Sequence, residues 1–169
     1  MSSLPEHACP EFSHGYNGIG LFFRLMDRKL DYKFYRSPSG WYTMVIPGHW
    51  QQIVIEGIPA FFEENGAGAM QVYAFENKGG SFNAEEELER YLATHTIVYE
   101  ADKAAFFENN EGGKIIACEF LKEDGRHWMV YLVAAKNKMI LVTYNGDEEP
   151  TEELAEHLTA VVSSIRVIE

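Results

Sequence analysis

Two histidines stand directly before tryptophans, in His49-Trp50 and His127-Trp128. An imidazole beside an aromatic wall can ligate or stack on a planar cofactor such as haem, so His49 and His127 are the candidate ligand residues. Each also has a plainer reading. His49 follows Pro47-Gly48 in a turn, and His127 opens a strand after the Asp124-Gly125 turn. His7, Cys9 and His14 offer nitrogen and sulfur donors but lack a fourth ligand, so no metal is assigned. The spacings that carry catalysis elsewhere are missing: His-Glu-x-x-His, Gly-x-Ser-x-Gly, a phosphate loop ending in Gly-Lys-Ser/Thr, and Cys-x-x-Cys. The glycines of GYNGIG (15–20) follow no strand, which argues against a dinucleotide site. General acid–base work needs two groups held apart in pKa by a dry pocket. The carboxylates here instead run along helix starts, as EEELE and DEEPTEELAE, where solvation and the helix dipole account for them. No catalytic residue and no cofactor is assigned.

Three surfaces are better suited to holding a partner. Arg24, Arg28, Lys29, Lys33 and Arg36 place five of the 14 basic residues within thirteen positions, beside the apolar face of Ile19, Phe22, Phe23 and Met26. Such an amphipathic segment can lie in a partner's groove or on a membrane surface; packing on its own sheet is the simpler expectation. Asp147, Glu148, Glu149, Glu152, Glu153 and Glu156 set six carboxylates in ten residues, a field that would steer a basic protein and fade with salt. The aromatics Trp41, Tyr42, Trp50, Phe61, Phe62, Tyr73 and Phe75 fall on successive strands, where alternate residues share a face. They are core if helices cover both faces of the sheet, and binding residues if one face is bare.

The elements that must position these residues are legible from period and punctuation. Residues 19–30 have helical spacing of their apolar positions. Short runs rich in aromatic and β-branched residues follow at 31–36, 41–46, 51–55, 59–63 and 69–76, separated by Ser37-Pro38-Ser39-Gly40, Pro47-Gly48, Gly57 and Asn65-Gly66. Their short connections predict an antiparallel meander, with Trp50 beginning the return strand after the Pro47-Gly48-His49 turn. A helix over 84–95 is predicted by the stripe Leu88, Tyr91, Leu92 and His95, with Asn83 as cap and Glu86 at the capping-box position. Strands resume at 104–109, 114–121, 127–135 and 138–144, with tight turns at Asp124-Gly125 and Lys136-Asn137. The run 127–135 is apolar on both faces, which predicts a central strand. A helix over 150–164, with Pro150 at its start and Leu154, Leu158, Val161, Val162 and Ile165 as its stripe, leads into a short final strand.

At 169 residues the chain can bury a core without staples, and a net charge of −12 disfavours nucleic acid and anionic lipid. Cys9 and Cys118 are expected to be free thiols, which points to a reducing, cytoplasmic location. The opening residues lack a basic, then apolar, leader pattern. The expectation is an α+β fold: an antiparallel sheet of about seven or more strands covered by two main helices. Residues 1–18 form a loosely held tail, and 19–169 one domain with an added N-terminal amphipathic segment.

This order of elements, with SGWYTMVIPGHW (39–50) early and VVSSIRV (161–167) at the close, resembles the PsbP/Mog-type fold over roughly residues 31–168. That group includes a photosystem subunit, a Ran-GTPase-binding protein and small bacterial domains of unknown function. The resemblance implies a noncatalytic protein-binding or accessory module. No residue role is carried over from that group; the three surfaces above supply the expected partner-binding residues Trp41, Tyr42, Trp50, Phe22, Phe23, Arg24, Arg28, Glu149, Glu152 and Glu153. The alternative is a carrier of a small apolar or planar ligand, haem-like or lipid, between sheet and helices; a hydrolytic enzyme is the third reading.

Overall fold

The computed structural model describes residues 31–168. The expected tail and the amphipathic segment 19–30, with His7, Cys9, His14, Phe22, Phe23, Arg24 and Arg28, lie outside the described residues. Along the chain run β1 (Tyr32–Arg36), β2 (Tyr42–Pro47), β3 (Gln51–Ile55), β4 (Ile58–Phe62) and β5 (Gly68–Glu76). Then come α1 (Ala84–Thr94), a 3-10 turn (Ala101–Lys103), β6 (Ala105–Glu108), β7 (Lys114–Leu121), β8 (His127–Ala135), β9 (Lys138–Gly146), α2 (Glu152–Ser163) and β10 (Arg166–Val167).

The strands form two sheets. One has seven strands in the order β3-β4-β5-β9-β8-β7-β6, the other three in the order β1-β2-β10, and all the pairings are antiparallel. This corrects the expected meander: β2 and β3 do not pair. The chain turns at Pro47, where the Trp50 amide donates to the Pro47 carbonyl at 3.0 Å, and then leaves for the other sheet. Gly48 makes the turn workable, because its amide bonds the Asp31 carbonyl at 2.6 Å and a Cβ there would lie only 2.8 Å from that oxygen. Trp50 belongs to the connection, and the next strand starts at Gln51.

The seven-stranded sheet is covered on both faces, and the period-2 alternation sorts its side chains between two cores. On one face Phe61, Met70, Met129, Tyr131, Ile140 and Val142 pack with the small sheet (Tyr35, Tyr42, Met44, Ile46) and with Leu158, Val161, Val162 and Ile165 of α2. On the other, Ile116, Cys118, Phe120, Val130, Leu132 and Leu141 pack with Leu88 and Leu92 of α1. The neighbours Ala117 and Cys118 thus serve opposite cores. As expected of a doubly apolar run, β8 is interior, flanked by β9 and β7. Cys118 is buried and forms no disulfide.

The first helix begins as its sequence predicts, and the second begins two residues later than expected. The Asn83 side-chain oxygen accepts from the amides of Glu85 and Glu86, at 3.1 and 3.3 Å. At α2 the cap is Thr151, whose Oγ1 accepts from the Leu154 amide at 3.2 Å. Pro150 therefore stands just before the cap rather than inside the helix. Among the described residues no helix is long and apolar enough to cross a membrane.

Candidate functional site

The corner Pro47-Gly48-His49-Trp50 packs against the first turns of α2, and this junction brings together Tyr32, His49, Trp50, Glu153 and His157. Trp50 is 3% exposed and His157, on the inner side of α2, is 4% exposed. The His157 ring lies 6.1 Å from that of Trp50, 5.9 Å from that of His49 and 6.2 Å from that of Tyr32, each edge-on.

The polar contacts of His157 define its state. The Tyr32 phenol oxygen is 3.1 Å from Nδ1, and the Glu153 carboxylate is 3.7 Å from Nε2. Burial, with Glu156 adding to it, pushes the Tyr32 hydroxyl up to about 12, so it keeps its proton and can donate. A neutral imidazole that accepts at Nδ1 carries its proton on Nε2, on the side of the acceptor Glu153. Burial holds His157 below the ordinary histidine value; Glu153 and Glu63 oppose that shift and His49 adds to it. Both ring nitrogens thus face protein groups, which suits a packing and positioning role more than proton exchange with a substrate. His49, about half exposed, has Nε2 3.3 Å from Glu63.

Beside the corner opens a pocket of ≈ 220 Å³. Its walls are Trp50, Phe61, Phe62, Tyr144 and Leu154, and its rim includes Glu63, Asn65, Glu148 and Glu149. Gly68 keeps one side low: a Cβ there would fall 2.1 Å from the Asn145 carbonyl oxygen and 2.7 Å from the Tyr144 hydroxyl. Acidic side chains from two distant parts of the chain, the β4–β5 loop and the approach to α2, thus share one rim. Asp147, next in the acidic run, is instead bound by Arg126 at 2.6 Å.

The structure sorts the sequence-derived candidates. Trp50 and Glu149 line the same pocket, and Glu153 and His49 flank His157. Glu152 is exposed as the first residue of α2. Tyr42 and Trp50, at 2% and 3% exposure, are both core; neither side chain offers the partner surface expected of it, because each is packed into the cluster shared by the two sheets and α2. Trp41 is half-buried against the same core, its carbonyl accepting from the Ile168 amide at 2.7 Å. His127 opens β8 opposite Leu121 and Gly146 and has no ring contact with His49 among the described residues, so the two histidines do not form one ligand site. No group of three or more His, Cys, Asp or Glu among the described residues is placed to hold a metal ion.

Of two histidines that matter structurally, the sequence placed one, His95, on the stripe of α1 and left the other, His157, unremarked. His157 lies three residues after Leu154 and four before Val161, so helical spacing alone puts it on the buried stripe. His95, already on the α1 stripe, turns out to sit among Tyr91, Trp128 and Phe120 at 4.9, 4.7 and 5.6 Å, with the Lys122 ammonium 3.4 Å from Nδ1. A further groove of ≈ 480 Å³ lies between the start of α1 and strands β6 and β7, lined by Phe82, Phe106, Ile115 and Ile116 among others.

No protein-family model matches the chain, and no curated protein matches it in sequence. Solved structures do. Cyanobacterial PsbP (CyanoP) from Synechocystis sp. PCC 6803 superposes with a TM-score of 0.59 at 15% identity, over 82% of this chain and 94% of that one. The Ran-binding protein Mog1p of Saccharomyces cerevisiae gives 0.52 at 12% identity, over 82% and 96%. A protein from Bacteroides thetaiotaomicron VPI-5482 gives 0.55 at 17% identity over 81% of this chain, which spans 48% of that protein. The fold is therefore of the PsbP/Mog type, as the order of elements implied.

Proposed function

We propose that the protein is a noncatalytic binding or accessory module that docks a basic protein partner on the face made by the Pro47–Trp50 corner, the Glu63 loop and the approach to α2. The observation that carries this reading is the shared rim: Glu63, Glu148 and Glu149 come from separate segments and converge on an aromatic-walled pocket. Exposed carboxylates concentrated in this way steer a cationic partner and set its orientation. The same architecture serves a protein that binds Ran, which supports the reading by analogy of fold only. A cytoplasmic location belongs to the same reading, since Cys118 is buried and forms no disulfide.

The test is charge reversal at exposed positions. Glu148→Lys, Glu149→Lys and Glu152→Lys together are expected to leave the melting temperature nearly unchanged, since surface changes shift stability by only about 0.5 kcal/mol each. The same change should abolish low-salt capture of a specific partner from native lysate. Capture that survives both the triple change and high salt would sink the proposal. The carrier reading has the groove beside α1 in its favour. Mass spectrometry of an organic extract of the purified protein decides for it if one stoichiometric lipid or chromophore is found.

A further inference from the structure

β3 is the outermost strand of the seven-stranded sheet, and among the described residues no strand pairs with its outer side. The register shows which backbone groups that edge offers. Val54 stands opposite Pro59, which has no N–H to give, so this pair exchanges no hydrogen bonds. By alternation Gln52–Phe61 is of the same kind, while Gln51, Ile53 and Ile55 bond inward to β4. The N–H and C=O of Gln52 and Val54 therefore point outward. All five residues of QQIVI are exposed, with Ile53, Val54 and Ile55 at 45, 59 and 47%.

Sheet edges are usually blunted by charge, proline, a bulge or a covering segment. The strand itself carries no charged residue, proline or glycine. What bounds the edge lies at its two ends. At one end the Lys33 ammonium takes the Trp50 carbonyl at 2.7 Å. At the other the chain turns sharply through Glu56 and Gly57, both at positive φ. Two carboxylates stand beside the open stretch, Glu56 at the turn and Glu63 just past Phe62, the residue paired with Gln51, against one cation, Lys33, which the Trp50 carbonyl holds.

From this geometry we infer that the outer edge of β3 accepts an extended, lysine- or arginine-flanked segment of a partner protein as an added antiparallel strand. Backbone bonds to Gln52 and Val54 would set its register. Alternate apolar side chains would cover Ile53 and Ile55, and its basic flanks would meet Glu56 and Glu63. A second copy of this chain is the poorer occupant. Antiparallel pairing of two β3 strands would bring Glu56 of each toward the Glu63 end of the other, between chains of net charge −12. The inference rests on the docking reading above and names the form the partner takes.

The probe is a fluorescein-labelled peptide with a Val-Thr-Val-Thr-Val core between pairs of lysines, titrated into the full chain. Anisotropy gives the affinity, and amide NMR locates the contact. Saturable binding with slowed hydrogen exchange at the Gln52 and Val54 amides is expected, weakened about tenfold or more by Val54→Pro, which removes an outward donor but no bond to β4. N-methylation of alternate peptide nitrogens should weaken binding similarly, without touching the protein's own fold. Exchanging the lysines for glutamates should abolish it. Absent binding, or binding that ignores both Val54→Pro and N-methylation, overturns the inference. So does a dimer of the free protein that Val54→Pro dissociates, since the second copy is then the occupant. If partner capture is lost on reversing Glu148, Glu149 and Glu152 while the β3 amides stay silent, the docking face stands and the edge inference falls. Peptide binding that needs Val54, with partner capture that ignores that reversal, leaves the edge standing and removes the acidic face.

Discussion

The two faces of the large sheet each enclose a histidine in a cage of aromatics, and the cages differ in the charge beside the imidazole. His95, at the end of α1, has Tyr91, Phe120 and Trp128 around it and the Lys122 ammonium at Nδ1. Burial and that cation both lower its pKa. His157, inside α2, has Trp50, Tyr32 and His49 around it, and the carboxylates Glu153 and Glu63 oppose the effect of burial. On one face every neighbouring influence disfavours protonation; on the other, opposed influences meet. Both imidazoles are held below the ordinary histidine value, chiefly by burial, but the charges around them differ, and the face with competing charges is also the one whose rim is acidic.

Truncating the two tryptophans is the strongest way to break the parallel. Trp50→Ala should cost about 3–5 kcal/mol, as for a fully buried aromatic, and Trp128→Ala about 2 kcal/mol or less, because Trp128 is only partly buried. Equal losses in urea unfolding would show that the α1 cage is as tightly sealed as the α2 cage. The helix starts come next. Asn83→Ala and Thr151→Ala should each cost about 1 kcal/mol, the former more, since Asn83 accepts two amides and Thr151 one.

The smallest effects have opposite signs. For a histidine lowered in the folded state, the unfolded chain protonates first, so stability is level above the ordinary value of 6.5 and falls as the pH drops below it toward the folded value. Glu153→Gln removes an influence that raises His157 and should deepen the acid-side loss. Lys122→Gln removes one that lowers His95 and should lessen it. Both changes should stay below about 1 kcal/mol, the usual worth of exposed charges. Melting temperatures measured on either side of pH 6.5 read them; shifts of the same sign would mean that the cages do not differ electrostatically.

Much of this molecule is visible in local pattern. The turns at Asp124-Gly125 and Lys136-Asn137 close hairpins as expected, the Asn83 cap forms, and the doubly apolar run at 127–135 is an interior strand. These features depend on residues a few positions apart. The split into two sheets does not, because β2 finds β10 across most of the chain, and no turn signal at Pro47-Gly48 tells a hairpin from a change of sheet. The site was half legible for the same reason. The acidic run and the tryptophans are plain in the sequence, but their meeting at one pocket, and the burial of Tyr42 and Trp50, depend on which helix covers which face. His157 was hidden in a different way: a histidine in an apolar stripe carries no mark of the phenol and carboxylate that will face it.

The small sheet also fixes an order of events during synthesis. Its middle strand β2 is secured from the far end of the chain by β10 and by the Ser164 hydroxyl, 119 residues from the Val45 amide it accepts, and its edge strand β1 by His157, 125 residues from Tyr32. The hairpins of the large sheet can close as soon as their residues leave the ribosome, whereas the tryptophan corner gains its His157 contact only once α2 has emerged. An acidic face assembled last is withheld from any basic partner until the rest of the molecule has formed.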